Sequence, residues 1–345
     1  MNLYFIKRVG LLVALLASFC AYSQSKINTK LTDSTNAQTF SYKPHFSATI
    51  LSRYEYNPIK NAHHFEIRHA RVGVNGDIHP MFSYRALVDL AYGGKISLVA
   101  LYAQFKPIKN LALTIGYDKL PFSTENLLSP YRYYFSDKSF LTQRITGWSD
   151  VGATISYENK NTLPFKIVAG IFNGNLRYDQ QNQWQPRLNY VARGEFTLYK
   201  SLNLTLNFCS VSPDTIRTYN YDMGLTYDFW NFHFEVEYLY KRYAEKCFKP
   251  THALQTFLFY DINIRNKYLQ KISLGIRYDA ITPNNTFRNE RYLYTENGQR
   301  ITSGVTLTFI EKPFKGALRL NYSKHLVKAS ELQDDRIIFE LITHL

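Results

Sequence analysis

Four basic side chains occur in one stretch of the sequence that has no regular hydrophobic period, between Tyr117 and Asp150. Within 119–149 only Glu125 and Asp137 oppose them, so the stretch keeps an excess of positive charge. Arginine can bind two oxygens of a phosphate with its planar fork, and lysine offers a compact charge. Such groups could replace the water around a passing anion and still release it. The candidate residues for this task are Lys119, Arg132, Lys138 and Arg144.

Aromatic residues surround one of these cations. Tyr131 and Tyr133 flank Arg132 directly, and Tyr134 and Phe135 follow. One interpretation is that the aromatic rings hold the stretch against a wall and that the arginine has no further role. The other is that the rings make this contact while the arginine faces a channel. The sequence alone leaves both interpretations open.

A second set of basic residues lies on segments in which apolar and polar residues alternate. The members that share the polar face are Arg68, Arg71, Arg85, Arg193, Arg277 and Arg319, with Arg336, Lys106, Lys166 and Lys241. Arg68 and Arg71 are three positions apart, so strict alternation would place them on opposite faces, and a β-bulge between them would turn both to the polar face. The same face carries the acids Asp89, Asp118, Glu158, Glu195, Asp222, Asp228, Glu235, Glu237, Asp279 and Glu340. Basic and acidic side chains on this face are present in roughly equal numbers, so most of them can form ion pairs. We therefore expect a structural role for any single arginine of the wall more than a functional one.

The elements that must position these residues are strands. Alternation with a period of two recurs from about Phe46 to the last residue, and it is clean over 82–92, 202–209, 219–229 and 232–241. About sixteen strands are predicted. They begin near Phe46, Phe65, Phe82, Leu98, Leu111, Val151, Phe165, Asn189, Leu202, Tyr219, Phe232, Leu254, Ile272, Ile301, Ala317 and Arg336.

The aromatic residues decide between two all-β architectures. A soluble sandwich would turn its apolar faces inward, whereas a transmembrane barrel turns them outward to lipid. The chain holds 28 Tyr and 24 Phe, and they cluster at strand ends, as at Tyr227, Phe229 and Trp230. Aromatic girdles at two membrane interfaces explain this placement. The pattern predicts an antiparallel transmembrane β-barrel.

Short and long connections alternate along the chain. Even-numbered strands are mostly followed by short turns, and odd-numbered strands are more often followed by longer segments. Outer-membrane barrels have short periplasmic turns and long external loops. If odd-numbered strands are followed by external loops, the stretch from Tyr117 to Asp150 is the third external loop and the longest one. Because a structureless connection of this length is unusual in a compact domain, we expect it to fold into the lumen and narrow it.

The N-terminus predicts export. Residues 1–23 read as a signal peptide, with Lys7 and Arg8 before an apolar run and a small-x-small site that ends at Ser23. A short polar arm is expected over 24–44 and the barrel over 45–345. The formal charge of the whole chain is +14. For an exported basic protein we expect outer-membrane lipid and small anionic solutes as partners rather than nucleic acid.

Catalytic and metal-binding patterns are weak. The sequence after the predicted leader holds two cysteines, Cys209 and Cys247, without a CxxC pair, and they are expected to be free. The histidines at 63, 64 and 69 do not have the spacing of a metal site. No GxSxG motif occurs, and the shared face of His233, Glu235 and Glu237 suggests no serine partner. An enzyme, a cofactor and a metal are therefore not predicted.

Two motifs resemble a known family. Residues 65–76, FEIRHARVGVNG, are similar to the F-x-x-R-x-A-R-x-G-x-x-G strand of the phosphate-selective porin O and P family. Residues 116–125, GYDKLPFSTE, are similar to the G-Q-x-K-x-P-F-S-x-E segment that opens the third loop of that family. The residues that carry this loop-opening motif are Pro121, Phe122, Ser123 and Glu125. The chain departs from the family pattern at Tyr117, where glutamine is frequent, and from many barrels at Leu345, where an aromatic residue is usual.

The resemblance implies a sixteen-stranded outer-membrane porin, usually a homotrimer, that passes small solutes such as phosphate. We expect passive diffusion with an anion preference. A closed structural or adhesive barrel would share every strand feature and stays open as an alternative. A barrel enzyme is less favoured, because no catalytic arrangement emerges from the residues.

Overall fold

The computed structural model describes most of the chain after the predicted leader. The described residues are 43–92, 95–161, 163–174, 184, 187–212, 216–264, 266–288, 291–327 and 335–345. The predicted signal peptide at 1–23 and the arm at 24–44, except residues 43 and 44, lie outside them. Within the described ranges no helix is long and apolar enough to span a membrane.

Sixteen antiparallel strands close into a barrel, in which β1 pairs with β18. Its strands are β1 (His45–Asn57), β2 (Ala62–His79), β3 (Phe82–Tyr92), β4 (Lys95–Ile108), β5 (Leu111–Lys119), β6 (Ser149–Asn159), β7 (Phe165–Phe172), β8 (Asn189–Tyr199), β9 (Leu202–Val211), β10 (Thr218–Phe229), β11 (Phe232–Tyr243), β12 (Thr251–Asn263), β13 (Lys271–Ile281), β16 (Gly298–Ile310), β17 (Lys315–His325) and β18 (Arg336–His344). The predicted number of strands is confirmed, and each begins within three residues of the predicted start.

Side-chain burial identifies the faces of this barrel. On β13 the apolar Ile276 is 55% exposed, while the next residue, Arg277, is 1% exposed. On β10 Met223 is 53% exposed beside the buried Asp222. A soluble sandwich would show the opposite order, because its apolar side chains would face the core. The apolar face therefore points outward and the polar face points into the lumen.

The two ends of the barrel differ in their connections. At the turn end, strands are joined by short turns such as 109–110, 200–201 and 230–231. Three residues in these turns, Asn110, Lys200 and Trp230, have positive φ angles of 74°, 44° and 52°. Such angles are what two-residue hairpin turns require, because they match the twist of the paired strands. The longer connections lie at the opposite end, which we call the loop end.

One of these longer connections forms a hairpin that the sequence did not indicate. Between β13 and β16, the short strands β14 (Asn284–Arg288) and β15 (Arg291–Thr295) pair only with each other. Each has five residues. Alternation over so few residues is too short to distinguish from a loop.

The third connection, residues 120–148, enters the lumen as predicted; we call it the inner loop. It contains the short helix α1 (Thr124–Leu127) and a single helical turn at Pro130–Arg132. It crosses to the far wall, where the amide of Thr124 donates to Glu237 on β11 at 2.8 Å. Further along, the amide of Ser136 donates to Asn321 on β17 at 2.7 Å.

A hydrophobic core holds both ends of the inner loop at the loop end of the lumen. Its members from the inner loop are Leu120, Phe122, Phe140, Leu141 and Ile145. They pack on apolar residues of the inner wall, which are Phe172, Val191, Val211, Leu239, Ala253 and Ile281. The wall is therefore apolar where the two ends of the loop are anchored.

Candidate functional site

The motif that opens the inner loop joins its two halves. Glu125 accepts hydrogen bonds from the Ser139 amide at 2.9 Å and from the Ser139 hydroxyl at 2.7 Å. Before it, Ser123 is fully buried with φ 67° and ψ 148°, a backbone conformation that costs a non-glycine residue about 1–3 kcal/mol. Phe122 and Pro121 precede this bend, and Phe122 packs beside Trp148 at 6.1 Å between ring centroids. The motif therefore fixes how the chain leaves β5.

Four arginines of the wall hold the middle of the inner loop. Arg53 on β1 forms an ion pair with Asp137 at 2.9 Å. Arg277 on β13 donates to the Asp137 carbonyl at 2.9 Å and lies 3.5 Å from Glu125. The loop offers acceptors to these arginines, namely carboxylates and backbone carbonyls, because a guanidinium group carries donors and no acceptor.

The other two wall arginines complete this clamp. Arg300 on β16 donates to the Lys138 carbonyl at 2.8 Å and binds Asp279 at 2.7 Å. Arg319 on β17 binds Glu340 at 2.7 Å and donates to the Tyr133 carbonyl. Arg277 and Arg319 were predicted wall residues, and both are almost fully buried under the loop.

Aromatic rings fill the contact between the inner loop and β12. Phe135 packs edge-on against Phe257 and Phe259, with centroid distances of 5.9 and 4.9 Å. Tyr134 stacks on His233 of β11 at 4.5 Å. The residues that follow Arg132 in the sequence thus make the aromatic contact with the wall.

The candidate cations of the inner loop are placed in different ways. The Lys119 ammonium donates to the carbonyls of Asn126 and Leu128, the second at 2.9 Å, so it caps the first turn of the loop. Lys138 lies 5.3 Å from the centroid of the Tyr133 ring. Arg144 is half-buried near the loop end, and its carbonyl accepts a hydrogen bond from Asn284 of the β14–β15 hairpin.

Arg132 is the exposed member of the four. Its side chain has no ion pair or hydrogen bond among the described residues. Its neighbours are fixed, because Lys315 donates to the Tyr131 carbonyl at 2.8 Å and Arg319 donates to the Tyr133 carbonyl. Tyr131 also stacks on His344 at 3.6 Å. A free guanidinium thus projects from a rigid backbone.

Burial changes the ionisation of the inner loop. It lowers the pKa of Lys138, an effect that Glu125 partly offsets and that Arg71 and Arg68 reinforce. It also lowers the pKa of Arg144. For Asp137 burial opposes ionisation, but Arg53 and further arginines outweigh it and hold the pKa at about 2.

The predicted bulge on β2 is present. The register between β1 and β2 shifts between Leu51 and Ser52 and leaves Arg68 without a partner across the ladder. Arg71 then reaches the inward-facing Asp89 at 3.0 Å, and Arg68 lies 3.7 Å from Glu66. Both arginines therefore belong to the inner wall.

The remaining predicted wall arginines differ in their freedom. Arg193 is buried and binds Glu195 at 2.7 Å and Asn207 at 2.8 Å. Arg85 is half-buried and forms no ion pair with any described residue, and the Tyr102 hydroxyl lies beside it.

The open part of the lumen follows one half of the wall. A cavity of about 440 Å³ lies at the turn end and is lined by β1–β4, β18 and residues 129–131 of the inner loop. A second cavity of about 220 Å³ lies beside it along β4–β8. Tyr102 and Gln104 line both cavities, so the two spaces adjoin. The inner loop occupies the space next to β11–β13, β16 and β17.

Burial sorts the charges of the described residues. Eleven acidic side chains are buried, but only six basic ones. The buried acids are Glu55, Asp89, Glu125, Asp137, Asp150, Asp222, Glu235, Glu237, Asp279, Asp335 and Glu340. The two adjoining cavities are lined instead by more cations than acids, namely Arg71, Arg85, Lys106, Lys119, Lys166 and Arg193 against Asp77, Asp118 and Glu195. Counted by formal charge, the lining of the two cavities is therefore positive, with one of its cations, Arg193, buried and paired with Glu195.

In the part of the chain that the structure describes, no three His, Cys, Asp or Glu side chains converge to hold a metal ion. His233 contacts Asp228 at 2.5 Å, Glu235 at 3.8 Å and the Tyr134 ring, rather than a serine hydroxyl. Cys209 is buried, Cys247 is exposed, and both are free.

Sequence reasoning missed two arginines of the clamp, Arg53 and Arg300. Arg53 shares the inner face with the apolar Leu51, which interrupts the alternation that reveals inward residues. Arg300 stands one residue before the predicted start of its strand. The sequence signal that could have revealed Arg53 is an arginine beside an apolar residue on the polar face of a strand. Arg53 and Leu51 form such a pair, and both contact the inner loop.

Part of the chain matches a known family. The family described as phosphate-selective porin O and P matches residues 44–201, which include the first eight strands and both sequence motifs. The resemblance that the motifs suggested is thereby confirmed. No curated protein matches the chain.

Solved structures share the fold at low sequence identity. The anion-selective porin from Comamonas acidovorans aligns with a TM-score of 0.62 and 10% identity, covering 88% of this chain and 98% of that chain. Salmonella typhi OmpF in complex with daunomycin gives 0.61 and 13%, covering 88% and 98%. OmpT of Vibrio cholerae in a trimer form gives 0.54 and 9%, covering 88% and 98%. These similarities establish the barrel fold.

Proposed function

We propose that this chain, an outer-membrane porin whose residues 44–201 match the phosphate-selective porin O and P family, lets small solutes diffuse passively and favours anions. The observation that carries the anion preference is the sorting of charge. The inner loop covers much of the acidic wall, and the cavities beside it are lined mainly by cations. A positive lining raises the local concentration of anions and lowers that of cations.

Different cations have different tasks in this proposal. Arg132, Arg85 and Arg71 are the residues that we assign to the solute path, with Lys138 as a weaker contributor because burial disfavours its charge. Arg277, Arg319 and Arg193 are assigned to holding the wall and the inner loop, since each is buried with partners. Lys119 and Arg144 are assigned to the ends of the loop.

The experiment that tests the proposal is reconstitution of the full chain in planar bilayers. We expect stepwise conductance. Under a tenfold KCl gradient, the reversal potential should have the same sign as the equilibrium potential of chloride. Replacing chloride by phosphate should leave a measurable anion current. Equal permeability of potassium and chloride would remove the anion preference, and absence of conductance would remove the channel.

A closed structural barrel is the second candidate. It is favoured by the strength of the clamp, because four arginines and a cluster of aromatic rings fix the loop across the lumen. The same bilayer recording distinguishes it, since a closed barrel inserts without current. Insertion is checked independently by protease protection of the barrel in liposomes.

A homotrimer is part of the proposal. It is supported by the family resemblance and by the trimer form of the structurally similar OmpT of Vibrio cholerae. Chemical cross-linking of the native membrane protein should yield a ladder that ends at three chains. A ladder that ends at one chain would contradict it.

A further inference from the structure

The cavity at the turn end has features beyond those that a bare inorganic anion needs. We infer that it is a binding site for a polyhydroxylated organic anion, a sugar ring that carries one carboxylate or phosphate group. The inference rests on the proposed channel, because the solute must reach the lumen. Three properties of the cavity support it, namely its accessible cations, its aromatic rings and its size.

The cations that could meet the acidic group lie on neighbouring strands. Arg85 on β3 is half-buried and forms no ion pair with a described acid, while it bonds the Tyr102 hydroxyl and interacts electrostatically with Asp118. Arg71 on β2 uses Nε to bind Asp89 at 3.0 Å, and its terminal nitrogens make no further contact in the described part of the chain. Two guanidinium groups with available N–H donors can bind one carboxylate or phosphate.

Tyrosine rings line the same space. Tyr102 lies beside Arg85, and Tyr131 is stacked on His344 at 3.6 Å. These rings offer flat apolar faces with a polar tip, which suit the C–H face and the hydroxyl edge of a sugar ring. Inorganic phosphate has no apolar surface that could pack against these rings.

Size and neutral polar groups complete the site. The volume of about 440 Å³ is in the range of small-molecule sites, which spans about 300–1,000 Å³, and far exceeds what one inorganic phosphate fills. Asn75, Ser83, Gln104 and Ser129 line the cavity with hydroxyl and amide groups. Such groups can exchange hydrogen bonds with several sugar hydroxyls without adding charge.

The site lies on the path and is not closed. It adjoins the second cavity at Tyr102 and Gln104, so a solute that leaves it can continue along β4–β8. Part of its charge is already compensated, since Lys106 lies 3.5 Å from Asp77. Conduction requires binding that is weak enough to permit release, and partial compensation serves this.

The test uses current blockade of the full chain in planar bilayers with chloride as the carrier. Four solutes separate the contributions of ring and charge: glucuronate, glucose 6-phosphate, glucose and inorganic phosphate. We expect glucuronate or glucose 6-phosphate to block at a concentration at least tenfold lower than glucose and phosphate do, and the better of the two identifies the acidic group. Equal blockade by phosphate, or equal blockade by glucose, would overturn the inference.

Two variants and a control locate the effect. Tyr102→Leu and Arg85→Gln should each raise the half-blocking concentration of the acidic sugar at least fivefold. Lys109→Gln, in an exposed turn outside the cavity, should leave it unchanged. Blockade that is equal in all four proteins would contradict the site. Circular dichroism and heat-modifiability on gels verify that each variant is folded.

The two proposals fail in distinguishable ways. If the channel conducts and prefers anions but acidic sugars do not block it, the inference fails and the proposed function stands. If the channel does not conduct, titration calorimetry of the refolded protein with the same four solutes still tests the site. Absence of heat with the acidic sugars, or equal affinity for phosphate, would then overturn it.

Discussion

The guanidinium carbon of Arg277 lies 4.7 Å from the centroid of the Phe135 ring, so a wall arginine covers an aromatic residue of the inner loop. The same arginine donates to the Asp137 carbonyl at 2.9 Å and is almost fully buried. This relationship explains why the loop is fixed across the lumen. It also shows that a cation on the inner wall can be structural beside cavities that are lined mainly by cations.

Removal of this arginine should loosen the loop. Arg277→Met removes the buried cation beside Glu125, while Asp279 keeps its ion pair with Arg300, and the loss of one partner in such a network costs about 3–5 kcal/mol. We expect a lower urea midpoint in detergent and larger, noisier single-channel currents. Arg242→Met is the matched control, because Arg242 faces outward over the Tyr219 ring. Identical current traces for the two variants would contradict the role of Arg277.

The bend at Ser123 should favour glycine over alanine. Both replacements remove the hydroxyl, but only glycine adopts φ 67° and ψ 148° without steric cost. Ser123→Ala is therefore expected to be about 1–3 kcal/mol less stable than Ser123→Gly. The measurement is the free energy of unfolding by urea in detergent. Equal stability of the two variants would show that the bend is not strained.

The clamp on Asp137 predicts loss of stability in acid. The pKa of Asp137 is about 2 in the folded protein, below its ordinary value near 4, so the stabilisation is complete above the unfolded pKa. It is lost as pH falls from about 4 through about 2. The contribution is roughly 2 kcal/mol, and Asp137→Asn should remove this part of the acid dependence. Unfolding midpoints measured between pH 5 and 2 check it, and a variant with the same slope as wild type would contradict it.

Much of the barrel was predictable from the sequence, because lipid and water impose a period of two on every strand. Short turns such as the one at Trp230 and the bulge near Arg68 were also visible as local patterns. The length of the inner loop was enough to predict that it folds inward. These features depend on local chemistry and on general constraints of membrane barrels.

The arrangement within the lumen was not predictable to the same degree. Phe257 and Phe259 face inward against the usual polarity, because they receive Phe135 of the inner loop. The alternation pattern cannot reveal such a contact, since it arises between residues more than a hundred positions apart. For the same reason, the alternation of the strands predicted that Arg277 and Arg85 both face the lumen. It could not predict that the inner loop buries Arg277 and leaves Arg85 accessible.

We expect accessible cations beside the inner loop to give the channel its anion preference, with Arg132 as the exposed one in the loop. The most direct measurement is the reversal potential under a tenfold KCl gradient in wild type, Arg132→Ala and the control Lys109→Ala. The wild type should be chloride-selective, the chloride-to-potassium permeability ratio should be at least twofold lower in Arg132→Ala, and the ratio should be unchanged in the control. A wild type without selectivity, or an Arg132→Ala channel as selective as wild type, would contradict it.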